Sequence, residues 1–185
     1  MLKRLTDIFF AVPALALALP VFFVVAVVIY AHDRGSVFYL QKRVGLRGKV
    51  FYIYKFRTMV LNADKIGGFS TSTDDTRITK VGYWLRKSSI DELPQLINVI
   101  LGDMSLVGPR PDVPSQECFY TEQEWHLRQQ VKPGITGLAQ ATLRSDATAS
   151  QRKAMDLEYV RNHSFFSDLK IILMTIEQIV KKGGN

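Results

Sequence analysis

The chain has 185 residues, 47% of them hydrophobic, with 24 Lys and Arg against 17 Asp and Glu for a net charge of +7. That length suits one domain, or a domain plus an anchor, and the basic surplus suits anionic lipid head groups, phosphorylated substrates or nucleic acid, or simple solvation. Cys118 is the sole cysteine, which excludes an intrachain disulfide and fits a reducing compartment, and His32, His126 and His163 lack metal-ligand spacing.

After the basic tip Lys3-Arg4, Ile8 to Tyr30 runs 23 residues without a charge. As a helix that is about 34 Å, enough to cross a bilayer. Basic residues stand on both flanks, with Arg34, Lys42 and Arg43 on the far side. By the positive-inside rule this favours both ends on one side. Leu19-Pro20 is a place to bend, because proline lacks an N–H and clashes with the preceding turn. A re-entrant membrane helix over 1–34 is therefore expected. The alternative is an ordinary transmembrane helix with a tolerated proline kink.

Ser36–Lys42 and Lys49–Met59 read as two strands joined by a turn at Gly45–Gly48, a small β-hairpin. Lys55 and Arg57 share a face by period two, which allows either a phosphate grip or plain edge protection. Leu61–Thr76 reads as a loop, either a lid or a connection. Ile78, Val81 and Leu85 give a short helical stripe, followed by Arg86 and Lys87.

Ser89-Ile90-Asp91-Glu92 precedes a helix whose Leu93, Leu96, Ile97, Ile100 and Leu101 share one face, ending at Gly102. The stretch matches a capping box with Ser89 as N-cap. It also sets two adjacent carboxylates at a helix mouth, suited to chemistry. Pro94 fits a helix start nearer Asp91 better than one at Ser89. Asp103 to Pro111 reads as a loop, in which two prolines preorganise the Arg110 guanidinium for phosphate, or leave it solvated in a surface turn.

Ser115–Gln130 reads as one helix, and Lys132–Gly137 as a turn whose glycines permit close backbone approach. Gln151–Asn162 is a polar helix carrying Asp156 and Tyr159. Phe165 to Val180 is a final amphipathic helix, for core packing or for lipid. The whole is an α+β chain, mostly helical. It has a membrane-anchoring helix at 1–34, a catalytic or binding domain at 35–185, and amphipathic helices suited to an interface.

The ordered motifs Tyr54-Lys55-Phe56-Arg57-Thr58-Met59, Asp75-x-Arg77-x-Thr79-x-x-Gly82, Leu85-Arg86, Ile90-Asp91-Glu92-Leu93-Pro94-Gln95, Asn98-Val99-x-x-Gly102-Asp103-Met104-Ser105, Gly108-Pro109-Arg110-Pro111 and Lys132-Pro133-Gly134-Ile135-Thr136-Gly137 cover nearly the whole chain. Together they resemble the bacterial sugar transferases, the monotopic phosphoglycosyl transferases, in their minimal catalytic-core form. The resemblance implies transfer of a phosphosugar from a UDP-sugar to polyprenyl (undecaprenyl) phosphate, with release of UMP, on the cytoplasmic face of the bacterial inner membrane. It implies Asp91 as nucleophile with Glu92 beside it, and Mg²⁺ held at Asp91. Lys55, Arg86, Arg110, Arg144 and Asp156 match substrate- or metal-shell positions. Two departures stand out: Ala141–Asp146 replaces the usual Asn-Gly-Arg run, and Leu19 stands where Ser often precedes the proline. The alternative function is a non-catalytic, membrane-anchored binder of nucleotide sugars or polyprenyl phosphate. A nucleic-acid partner is not expected, since no such motif is present.

Overall fold

The computed structural model describes residues 2–66, 75–143 and 148–182, without the side chains of Asp64, Lys65, Ile179, Val180 and Lys182. The apolar run forms α1 (Leu2–Asp33), which keeps its helical assignment through Pro13 and Pro20. Leu19-Pro20, the place expected to bend, is thus not a helix end. Proline removes one backbone bond, and side-chain packing on both sides of it holds the helix together. Ala11, Ala18, Phe22, Val25 and Ile29 form its buried stripe. The opposite face, with Phe9, Leu17 and Phe23, is exposed.

Both ends of α1 are tied to the rest of the chain. At the start, Lys3 pairs with Asp168 and donates to the Val107 carbonyl at 3.0 Å. Arg4 donates to the carbonyls of Val99 and Ile100, and Asp7 accepts from Ser105 Oγ at 2.9 Å and Leu106 N at 3.0 Å. At the far end, Asp33 forms a two-point ion pair with Arg57. Arg57, expected to share a strand face with Lys55, is therefore committed to the end of α1.

β1 (Phe38–Val44) pairs antiparallel with β2 (Val50–Phe56), from Phe38 opposite Phe56 to Val44 opposite Val50. The turn uses Gly48 at φ 75°. A short turn, α2 (Ala63–Ile66), precedes residues 67–74, so the core of the expected lid loop lies outside the described residues. α3 (Lys80–Lys87) is capped by Thr79, whose Oγ1 accepts from Gly82 N at 2.9 Å. A Cβ on Gly82 would lie 1.9 Å from the Thr58 carbonyl oxygen, so only glycine lets α3 approach the chain after β2 this closely.

The capping-box expectation at Ser89 fails. Ser89 is left-handed at φ 57° and makes no side-chain cap bond. Ile90–Glu92 forms a single 3₁₀ turn, and α4 (Gln95–Leu101) begins after Pro94 and stops at Gly102 with φ 92°. The cause is Pro94. A helix begun at Ser89 would need the N–H that Pro94 lacks, whereas its fixed φ suits the start of α4.

β3 (Ser105–Val107) and β4 (Gly134–Thr136) pair in parallel within segments expected to be loop and turn. Their glycines permit this: a Cβ on Gly134 would lie 2.1 Å from Gly108 N. The expected helix over Ser115–Gln130 is divided. A 3₁₀ segment, Pro114–Phe119, gives way to α5 (Glu122–Arg128), with Tyr120 and Thr121 extended between them. The reciprocal capping of Thr121 and Glu124 restarts the helix there.

α6 (Leu138–Thr142) and the polar α7 (Ala149–Asn162) follow, and α7 buries Asp156, Leu157, Tyr159 and Val160. α8 (Phe165–Lys182) closes the chain. Its inward face is partly polar: Asp168 accepts from Lys3 and Tyr159, Thr175 meets Thr136, and Gln178 donates to Ala141 O. Phe166, Leu173 and Ile176 point outward. The core runs from α1 through α4 and β2, where Phe51, Ile53, Leu96, Val99 and Met104 pack on Ala11.

Candidate active site

The tight 3₁₀ turn before Pro94 sets Asp91 and Glu92 in different surroundings. Glu92 faces two cations. Lys55 Nζ lies 2.7 Å and Arg110 Nη2 2.6 Å from its Oε1, and Arg110 Nη1 lies 3.4 Å from its Oε2. Burial alone would raise the Glu92 carboxyl, but Arg110 and Lys55 override it and hold the group well below the usual carboxylate range. Glu92 in turn raises Arg110, while burial lowers Lys55.

Asp91 is 8% exposed, and among the described residues its carboxylate has no hydrogen-bond or ion-pair partner. Burial, and then the neighbouring Glu92 charge, push its pKa up to about 6, against a weaker pull from Lys55, Arg86 and Arg110. Two residues adjacent in sequence therefore divide the work. Glu92 is a saturated clamp on two cations, and Asp91 is an unpaired anion at neutral pH.

Each cation arrives from a different element. Lys55 comes from β2, whose free edge is held by Asn98 on α4. Asn98 Nδ2 donates to Tyr52 O at 2.8 Å and its Oδ1 accepts from Tyr54 N at 3.0 Å. Arg86 ends α3 and donates through Nε to Thr58 Oγ1 at 2.9 Å. Burial lowers its pKa, and Asp91 is the largest of the charges that oppose this. Arg110 comes from the Gly108–Pro111 loop.

Of the residues expected at the site, the structure gathers Asp91, Glu92, Lys55, Arg86 and Arg110. Arg144 lies outside the described residues. Asp156 is 3% exposed, and its Oδ2 accepts from Arg128 Nη2 at 2.8 Å. Sequence reasoning missed Asn98, Thr58, Arg43, Asp112 and Arg128. Asn98 and Thr58 stand within the quoted motifs but are given no role there, because what they bond to lies far away in sequence.

Among the described residues, no group of three or more His, Cys, Asp and Glu could hold a metal ion. Magnesium commonly takes one or two protein carboxylates and completes its shell with water and substrate phosphate. The unpaired Asp91 carboxylate fits that limited demand.

A sheltered anion ringed by Lys and Arg suits transfer of a phosphoryl-linked group. The comparisons place the chain in that class: it matches the bacterial sugar transferase model over residues 1–182 and belongs to that family, so it is a transferase. It is similar to the uncharacterized sugar transferase EpsL of Bacillus subtilis, 43% identical over 183 residues, which are 99% of this chain and 89% of EpsL. The exopolysaccharide production protein ExoY of Sinorhizobium fredii is 40% identical over 199 residues, covering 99% of this chain and 87% of ExoY. The UDP-glucose:undecaprenyl-phosphate glucose-1-phosphate transferase of Caulobacter vibrioides is 40% identical over 185 residues, covering 96% of this chain and 69% of that protein.

Proposed function

We propose that this chain transfers a phosphosugar from a UDP-sugar to polyprenyl (undecaprenyl) phosphate through an intermediate on Asp91. The observation that carries the reading is the contrast between an unpaired Asp91 and a saturated Glu92. A carboxylate oxygen of Asp91 attacks the β-phosphorus of the UDP-sugar. As that O–P bond forms, the bond from the β-phosphorus to the bridging oxygen breaks, and UMP leaves with the electron pair. A phosphate oxygen of the polyprenyl phosphate then attacks the same phosphorus and restores the Asp91 carboxylate. Carboxylate nucleophiles forming acyl phosphates are an established route.

Arg86 screens the incoming diphosphate, since its terminal nitrogens are uncommitted among the described residues. Lys55 and Arg110 add positive field while Glu92 keeps them in place. Asp91 is the residue that would hold Mg²⁺, which would supply further charge neutralisation. A protein that only bound such ligands would gain nothing from an unpaired anion in the pocket. The name of the Caulobacter vibrioides relative specifies UDP-glucose, which makes UDP-glucose the first donor to test.

The same reading places the chain on the cytoplasmic face of the bacterial inner membrane. α1 is long and apolar enough to cross a bilayer. Yet both its ends bond to the same folded body, through Lys3, Arg4 and Asp7 at one end and Asp33 at the other. That supports a re-entrant anchor that returns to the side it enters. The exposed apolar faces of α1 and α8 would meet lipid.

The test uses detergent-solubilised protein, Mg²⁺ and a panel of UDP-sugars without lipid acceptor, read by intact mass. The wild type is expected to gain a phosphosugar adduct with at least one donor and Asp91→Asn none. An adduct on Asp91→Asn would remove Asp91 from the nucleophile role. Turnover with polyprenyl phosphate should stop in EDTA and return with Mg²⁺; metal-independent turnover would remove Mg²⁺ from the proposal.

A further inference from the structure

Four consecutive carbonyls around Arg110 each accept a hydrogen bond from a different place. Pro109 O accepts from Gly134 N at 2.9 Å, and Asp112 O from Val44 N at 2.9 Å. Between them, Arg110 O accepts from Arg128 Nη2 at 2.5 Å and Pro111 O from Arg43 Nη1 at 2.7 Å. Pro109 and Pro111 have no N–H to offer. The loop is thus held by its carbonyls, and the central two are held by arginine side chains.

Arg128 is the hub. It is 7% exposed, on the last turn of α5. Its Nη1 lies 3.0 Å from Asp112 Oδ2, and its Nη2 lies 2.8 Å from Asp156 Oδ2. Tyr120 donates to Asp112 Oδ2 at 2.8 Å, and its ring centroid lies 5.5 Å from Arg128 Cζ. Burial would lower the Arg128 pKa, but the two carboxylates more than offset this and raise it. One planar guanidinium therefore bridges α7, the Asp112 side chain and the Arg110 backbone, which a lysine cannot do.

We infer that Arg128 and Asp156 are a positioning pair for Arg110, and that Asp156 acts on the reaction through Arg128 and not through substrate or metal. The inference rests on the site reading above, in which Arg110 serves the reaction. Arg128 fixes where the Arg110 main chain sits, and so whether its guanidinium meets both Glu92 and the incoming diphosphate. A misplacement of about 1 Å in such a group is enough to cost 10- to 100-fold in rate.

The test is a double-mutant cycle on full-length protein in detergent, with undecaprenyl phosphate and the UDP-sugar that forms the adduct. Arg128→Lys and Asp156→Asn are each measured with Arg110 present and with Arg110→Ala, alongside thermal unfolding. With Arg110 present, each change should lower kcat about tenfold and leave the magnesium dependence unchanged. In the Arg110→Ala background neither should lower kcat further. Independent, multiplying effects, or a raised magnesium requirement in Asp156→Asn, would overturn the positioning role while leaving the site reading intact. If Arg110→Ala itself turns over normally, the site reading fails, and this inference fails with it. Asp156→Asn preserves the shape of its side chain and serves as the folding-competent variant should Arg128→Lys unfold.

Discussion

At the scale of single residues, neighbouring carboxylates carry opposite signs of stability. Asp91 is ionised at neutral pH against its surroundings, with its pKa raised to about 6. A carboxyl raised above its unfolded value stabilises the fold below the unfolded pKa, and that contribution is lost as pH rises through the folded one. Asp91→Asn should therefore raise thermal stability by about 1–3 kcal/mol at pH 7 while abolishing transfer. The stability gap should open between about pH 4 and 6 and stay flat above. Activity of the wild type should rise with pH through about 6, because the nucleophile must be deprotonated. Glu92 behaves in reverse, since its depressed carboxyl stabilises the fold at neutral pH. Glu92→Gln leaves Lys55 and Arg110 without their counter-charge and should cost about 2–3 kcal/mol, less than a fully buried pair because Arg110 is partly exposed. Thermal unfolding of both variants from pH 4 to 8 checks the sign of each.

At the scale of elements, the site depends on a two-stranded hairpin that would be marginal alone. Asn98 solves the problem from α4 by occupying the free edge of β2 at Tyr52 and Tyr54. This also fixes Lys55, one residue on, against Glu92. Asn98→Ala leaves one part-buried carbonyl and one N–H without their partner, which should cost about 1–3 kcal/mol. The Tyr54 amide should then exchange with solvent faster than its neighbours in β1, and kcat should fall as Lys55 loosens. Unchanged exchange at Tyr54 would show that the hairpin holds without the amide. The division of the Pro114–Arg128 segment matters for the same site: α5 restarts at Thr121, so that Arg128 in its last turn reaches the Arg110 loop.

At the scale of the whole molecule, α8 turns Asp168, Thr175 and Gln178 inward beside Ile171 and sets Phe166, Leu173 and Ile176 outward, and α1 exposes a second apolar face. The inward polar side chains have partners on Lys3, Tyr159 and Thr136, so the arrangement is satisfied rather than strained. Phe166→Glu with Leu173→Glu should weaken binding to vesicles of anionic phospholipid severalfold and leave the unfolding temperature nearly unchanged, since both side chains are exposed. For the anchor, single cysteines at Leu2 and Ser36 in a Cys118→Ser chain should both react with an impermeant thiol reagent in inverted inner-membrane vesicles and neither in intact spheroplasts. Labelling on opposite sides would show that α1 crosses the bilayer.

The sequence by itself determined what short-range chemistry can write. The uncharged run predicts α1, aromatic and β-branched runs predict the hairpin, and Gly102 marks the end of α4. The ordered motifs around Asp91, Arg110 and Lys132–Gly137 point to the family. It could not show β3 and β4, because three-residue strands carry no usable periodicity and pair across a long stretch of chain. Residue type and spacing left Asp91 and Glu92 as two adjacent carboxylates; the family resemblance set Asp91 apart as nucleophile, but neither told which of the two is paired. That difference was decided by the tertiary structure: Lys55 and Arg110 arrive from separate segments to pair with Glu92, and the electric field at a carboxylate is a sum over space, not over sequence.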